Sequence, residues 1–171
     1  TNFDLLGKSI FAFIIFSLAA SSIYIINDYS DIESDRKHPE KRRRPLASGA
    51  ISKRTALIVL VALISLSIAL IYFGAQYFHH NFWKFATIIA FYFFMNLAYT
   101  FKLKHVAIID VSIISLGFVL RVLAGGYATG IFISQWAILL TFVLALVLAI
   151  GKRRGELINA QISGKTRKAL D

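Results

Sequence analysis

The sequence predicts an all-α fold, a polytopic bundle of transmembrane helices, and three observations carry that prediction. Hydrophobic residues make up 57% of the 171, and mean hydropathy is +0.67. Apolar runs long enough to cross a bilayer recur along the chain. Acidic and basic residues are confined to short stretches between those runs. Helices follow rather than strands, because an open sheet cannot satisfy its own backbone in lipid. The chain has no cysteine, which excludes a disulfide framework and any thiolate metal site. Its formal net charge of +10 does not indicate a nucleic-acid partner, since the cations sit in loops between spans and not on one face of a soluble domain.

Five spans are drawn, at about 8–26, 55–73, 84–101, 107–127 and 134–150, each near the roughly 20 residues a bilayer requires. The first is a resident helix and not a cleaved signal: Ile10 to Ile26 is too long for a signal core and leads into charge without a small-residue cleavage site. The second follows a strongly basic loop. The third starts at Trp83, an interface-belt position, and carries Phe91, Tyr92, Phe93 and Phe94, which suit either a lipid-facing surface or a polyprenyl groove. The fourth has Asp110 near its start. That carboxylate either caps the helix N-terminus or orients Lys104 or a ribose hydroxyl. Arg121 lies deeper in the same span, where a charge marks a polar pathway or a buried partner; an acceptor cavity and a structural pairing are both open. Gly117, Ala124, Gly125 and Gly126 permit close helix approach. The fifth span begins near a second belt tryptophan, Trp136, and ends at Gly151-Lys152.

If the first span runs outward to inward, loops 27–54, 102–106 and 151–171 face inward. They then hold every lysine and arginine except Lys8, Lys84 and Arg121. The positive-inside rule therefore predicts that these loops are cytoplasmic. His79-His80 falls in an outer loop without further metal ligands. Residues 1–171 read as a single membrane domain. The abrupt start at Thr1 and the stop at Asp171, soon after the fifth span, suggest a piece of a longer polytopic protein.

Chemistry concentrates in Asn27-Asp28-Tyr29-Ser30-Asp31-Ile32-Glu33-Ser34-Asp35, an NDxxDxxxD array at the end of the first span. On a helix, Asp28, Asp31 and Asp35 share one stripe, with Asn27 beside Asp31. Crowded carboxylates are unfavourable unless a cation sits among them. Mg2+ prefers hard oxygen ligands and binds through few carboxylates together with water and substrate phosphate, so the array fits a Mg2+-diphosphate. A merely solvated acidic helix end is the alternative, and an EF-hand loop lacks its glycine and glutamate.

The array runs into Arg36-Lys37-His38-Pro39-Glu40-Lys41-Arg42-Arg43-Arg44-Pro45-Leu46-Ala47-Ser48-Gly49. Arginine forks and mobile lysines bind phosphate, so Lys41, Arg42 and Arg44 are predicted to hold a polyphosphate. Arg36 and Lys37 read as positional. The whole run is also readable as a topology determinant resting on anionic headgroups. Pro39 and Pro45, the only prolines, stiffen the loop.

The stretch from Asn27 to Gly49 resembles the first signature of the UbiA superfamily of intramembrane prenyltransferases, most closely its decaprenyl-phosphate phosphoribosyltransferase branch. Two further segments agree: Tyr99-Thr100-Phe101-Lys102-Leu103-Lys104-His105 leading to Asp110 and Arg121, and Gly151-Lys152-Arg153-Arg154-Gly155-Glu156. The resemblance implies a UbiA-like bundle of about nine spans, of which the second to sixth are present here, and predicts that these five alone are inactive. It implies that Asp28, Asp31 and Asp35 are catalytic and, with Asn27, hold Mg2+. It implies substrate contact for Lys41, Arg42, Arg44, Lys102, Lys104, Asp110, Arg121, Lys152, Arg153, Arg154 and Glu156. Ordinary family members carry a second aspartate-rich motif after the sixth helix; here Lys152-Arg153-Arg154 and a single Glu156 replace it. That departure suits a donor bearing an additional phosphate.

The implied reaction is transfer from phosphoribosyl diphosphate to a polyprenyl phosphate in membrane lipid. The acceptor oxygen is already ionised, so His38 and His105 are read as hydrogen-bonding groups rather than bases. A prenyl diphosphate donor with a lipid-soluble acceptor is the alternative enzyme reading, and a non-catalytic membrane module is the third.

Overall fold

The computed structural model describes residues 2–77, 82–103 and 106–162. Among these residues all regular structure is helical. Helix α1 (Phe3–Ser30) is followed by a short α2 (Ile32–Lys37), a 3-10 turn (Lys41–Arg43) and one turn of helix, α3 (Pro45–Ser48). Four long helices complete the chain: α4 (Lys53–Tyr77), α5 (Phe82–Phe101), α6 (Ala107–Thr129) and α7 (Gln135–Ile162). Helices α1, α4, α5, α6 and α7 are all long and apolar enough to cross a membrane, matching the five predicted spans. His79, His80, Lys104 and His105 lie outside the described residues.

Helix α1 is the centre of the bundle and contacts α4, α5 and α6, whereas α7 docks on α6. Its inward stripe is Ala12, Ile15, Phe16, Ala19, Ala20 and Ile23, all buried at helical spacing. The alanines let neighbouring backbones approach, which is how helices associate where lipid is as apolar as the protein. Phe82, Phe85, Ile89 and Tyr92 of α5, with Leu120, Ala124 and Ala128 of α6, close this core. Phe16 and Tyr92 meet with ring centroids 4.6 Å apart. By contrast, Ile58, Val61 and Ile68 on α4 and Leu140, Val147 and Leu148 on α7 are exposed.

Helix α1 begins where the Asn2 side chain accepts the Leu5 N–H at 3.4 Å, with Asp4 and Lys8 paired at 2.6 Å one turn on. At about 1.5 Å per residue it is roughly 40 Å long, so its last turns reach beyond a hydrocarbon core of about 30 Å. Asn27 and Asp28 ride on those turns.

At Gly74, α4 meets side chains of α1 and α5 at close range. A Cβ there would lie 2.3 Å from the Phe82 ring and 2.7 Å from that of Phe11. Phe82 is buried and has little room to retreat. Gly74→Val is expected to destabilise the bundle by about 1–3 kcal/mol through overpacking, read as a lower thermal midpoint in detergent; an unchanged midpoint would contradict this contact.

Candidate functional site

The acidic array lies where α1 gives way to α2. Asp31 stands between them with φ −97° and ψ 5°, yet the helical hydrogen bonds run through it: Asp31 N–H donates to Asn27 O at 3.0 Å and Asp35 N–H to Asp31 O at 2.8 Å. The backbone therefore keeps its helical hydrogen-bond register across a local break. Asp28 feels the charges of Asp31, Asp35 and Lys41. Asp28 is half-buried, and the Asp35 side chain is only 4% exposed.

The basic loop folds back across these carboxylates. Its path is set by local bonds: His38 Nδ1 accepts the N–H groups of Glu40 and Lys41 at 3.2 and 3.3 Å, and Arg44 N–H donates to Lys41 O at 2.9 Å. Pro45 then starts α3 at a position that suits its missing N–H, and Gly49 ends it at φ +83°, a left-handed cap. Arg36 donates from Nε to Ala47 O at 3.1 Å and pairs with Glu33 at 3.2 Å, so it ties α2 to the loop as a positional residue. Ile32, Leu46 and Ala56 bury a small apolar cluster beneath the loop.

Arg44 is the result of this return. Its Nη1 lies 2.9 Å from Asp28 Oδ1 and 2.9 Å from Asp35 Oδ2, bridging α1 and α2. Lys41 is half-buried, while Arg42 is exposed on the 3-10 turn.

A second charged cluster joins α5, α6 and α7. Arg153 Nε lies 2.5 Å from Asp110 Oδ2, and its Nη1 donates to Glu156 Oε2 at 2.6 Å. Tyr99 donates its hydroxyl to Asp110 Oδ1 at 2.6 Å across the 102–106 connection. Asp110 is buried in the first turn of α6, and that helix has no side-chain cap bond at its start. Its place in the first turn suits the helix dipole, and both of its carboxylate oxygens are engaged by Tyr99 and Arg153. Tyr99 was given no role by sequence reasoning; the available signal was a hydroxyl in the last turn of an apolar span, one loop before a lone carboxylate. Lys152 and Arg154 flank Arg153 and are exposed, as is Lys102 at the end of α5.

Arg121 is remote from the array. Its guanidinium lies 5.1 Å from the Phe16 ring and 5.6 Å from that of Phe118, with no carboxylate partner among the described residues. Phe16 is three turns of helix before Asp28, about 18 Å at 1.5 Å per residue. Arg121 instead borders a groove of 510 Å3 whose walls include Ser17, Ser21 and Tyr24 of α1 and Ala124 of α6.

A hard divalent cation fits the donor set of the array. The guanidinium of Arg44 already stands as a cation between Asp28 and Asp35. Among the described residues no three histidine or acidic side chains converge as a metal cage. A divalent ion bound there would take one or two carboxylates and leave its other positions to water and phosphate.

The UbiA prenyltransferase family matches residues 2–153. The chain is similar to the decaprenyl-phosphate phosphoribosyltransferase of Mycolicibacterium smegmatis, with 42% identity over 98% of this chain and 51% of that one. The corresponding protein of Corynebacterium glutamicum is 41% identical over 94% of this chain and 47% of its own length. A nodulation protein of Azorhizobium caulinodans is 31% identical over 90% of this chain and 48% of its own. The chain thus spans about half the length of the curated relatives it matches.

Proposed function

The chain belongs to the UbiA prenyltransferase family, and from that premise we propose that it serves Mg2+-dependent transfer of a 5-phosphoribosyl group from phosphoribosyl diphosphate to a polyprenyl phosphate of decaprenyl type. The reaction takes place at the cytoplasmic face of a bacterial-type plasma membrane. One observation carries this reading: a single carboxylate cluster is overlaid by a cationic loop through Arg44, at 2.9 Å from both Asp28 and Asp35. The end of α7 supports it, because its cations are accompanied by one carboxylate, Glu156, held by Arg153 at 2.6 Å. A donor bound through two metal-carboxylate clusters would call for a second acidic set there. The names of the mycobacterial and corynebacterial relatives point the same way. The sidedness rests on the positive-inside distribution of the loops.

In the transfer, an ionised oxygen of the acceptor phosphate bonds to C1 of the ribose, and the C1–O bond to diphosphate breaks. Diphosphate leaves with the bonding pair. The nucleophile needs no general base, which agrees with His38 spending Nδ1 on two backbone N–H groups. Bound Mg2+ supplies stabilisation of the charge that collects on the leaving diphosphate. Asp28, Asp31 and Asp35, with Asn27, would hold that ion, one or two carboxylates directly and the others through its waters. Lys41, Arg42 and Arg44 grip the donor's phosphates from one loop, and Lys152 and Arg154 from α7; Lys102 and Lys104 are further phosphate ligands by the family resemblance. Asp110, Arg153 and Glu156 set the position of α7, and Arg121 lines the lipid-side groove that leads away from the donor.

The test is transfer of labelled ribose phosphate from phosphoribosyl diphosphate into the polyprenyl lipid fraction, in membranes carrying the full-length protein. Metal-dependent label in lipid is the expected result. No label, with Mg2+-dependent consumption of a prenyl diphosphate instead, would overturn the donor assignment.

A further inference from the structure

Arg44 touches the array in a way that a simple phosphate clamp does not require. One nitrogen, Nη1, contacts both Asp28 and Asp35 at 2.9 Å, while Nε and Nη2 make no hydrogen bond among the described residues. Asp35 is almost wholly buried, so without a cation its charge would be costly there. Arg44 itself is about one-third exposed, as is Asp28, so the contact is not sealed from solvent. The guanidinium and a divalent ion compete for the same two carboxylates. The arginine also carries free donors suited to phosphate oxygens.

We propose that Arg44 is a placeholder cation. It neutralises Asp28 and Asp35 while the site is empty, and it yields them to the metal when a diphosphate arrives to take the guanidinium. Metal and diphosphate consequently bind as a unit, and the free protein holds divalent metal weakly. This rests on the reading of the array as a metal-diphosphate site. It goes further by assigning Arg44 two successive partners and by setting the order of binding. An arginine that only grips phosphate would leave metal affinity untouched in the absence of diphosphate. A placeholder suppresses it, and by linkage the ligand that removes the placeholder raises it.

The experiment measures Mn2+ binding, from the electron paramagnetic resonance signal of the free ion, to the detergent-purified full-length protein with and without methylene diphosphonate. In the wild type, diphosphonate is expected to tighten Mn2+ binding at least tenfold. In Arg44→Ala, Mn2+ alone is expected to bind about tenfold more tightly than in the wild type, and added methylguanidinium to reverse that gain. Joint binding of Mn2+ and diphosphonate with no gain for Mn2+ alone in Arg44→Ala would overturn the placeholder and leave the proposed function standing. Absence of any Mn2+ or diphosphonate binding to the wild type would overturn both. Should Arg44→Ala fail to fold, the wild type still decides: Mn2+ binding that is equally tight without diphosphonate refutes the placeholder.

Discussion

Asp28→Asn is expected to lower kcat/KM for ribose-phosphate transfer by roughly 10²–10³, with most of the loss in kcat. Asparagine keeps the size of the side chain and one acceptor oxygen, so it preserves the shape of the helix end. It removes the charge that a divalent ion needs and that Arg44 meets at 2.9 Å. Asp28 is the better choice for this test because its side chain is open to ligand, whereas Asp35 is 4% exposed and its replacement would disturb the fold as well. Asp4, at the other end of α1, is the control: its pair with Lys8 is exposed, and Asp4→Asn should leave the rate unchanged. The measurement is initial rate against Mg2+ and donor concentration. A kcat/KM for Asp28→Asn within about threefold of wild type would remove the array from the chemistry, since a surviving metal site would still lose a ligand.

The parts of the protein set by local pattern were readable in the sequence. Span number and order follow from apolar run length alone, and the observed helices extend beyond the predicted ends where charged turns continue a helix outside the apolar stretch. At the C-terminal side this is visible: α7 continues past Gly151 through Lys152 and Arg154, because Arg153 and Glu156 pair three residues apart on the same helix. The place of the array at the end of the first span was readable too, although α1 breaks at Asp31. Partnership across the fold was not readable. Arg44 and the aspartates were each visible as ligand residues for opposite charges, but their direct contact depends on a loop reversed by Pro45 and Gly49 and seated on Leu46. The tie among Tyr99, Asp110 and Arg153 depends on how α7 docks on α6, a tertiary fact without a spacing rule.

Breaking that tie is expected to cost about 3 kcal/mol or more. The side chains of Asp110 and Arg153 are 6% and 17% exposed, so this ion pair is largely shielded from water on the Asp110 side. Removing one member of such a pair leaves the other as an uncompensated buried charge, and about 3–5 kcal/mol is the usual penalty. In Asp110→Asn the Arg153 guanidinium keeps Glu156 but loses its contact with α6, and the Tyr99 hydroxyl loses an ionised acceptor. The low end of that range therefore applies. For a chain of this size it corresponds to a thermal midpoint lower by roughly 6–12 °C. Replacing both partners separates the charge penalty from cavity formation: Asp110→Asn with Arg153→Met removes the stranded cation and should recover much of the loss. The same double variant restores stability without restoring donor affinity if Arg153 also positions Lys152 and Arg154 for phosphate, so a recovered midpoint with a raised donor KM is the expected pair of results. A single variant as stable as wild type would show that α7 is held on α6 by its apolar face alone, and the cationic end of α7 would then have no fixed relation to the start of α6.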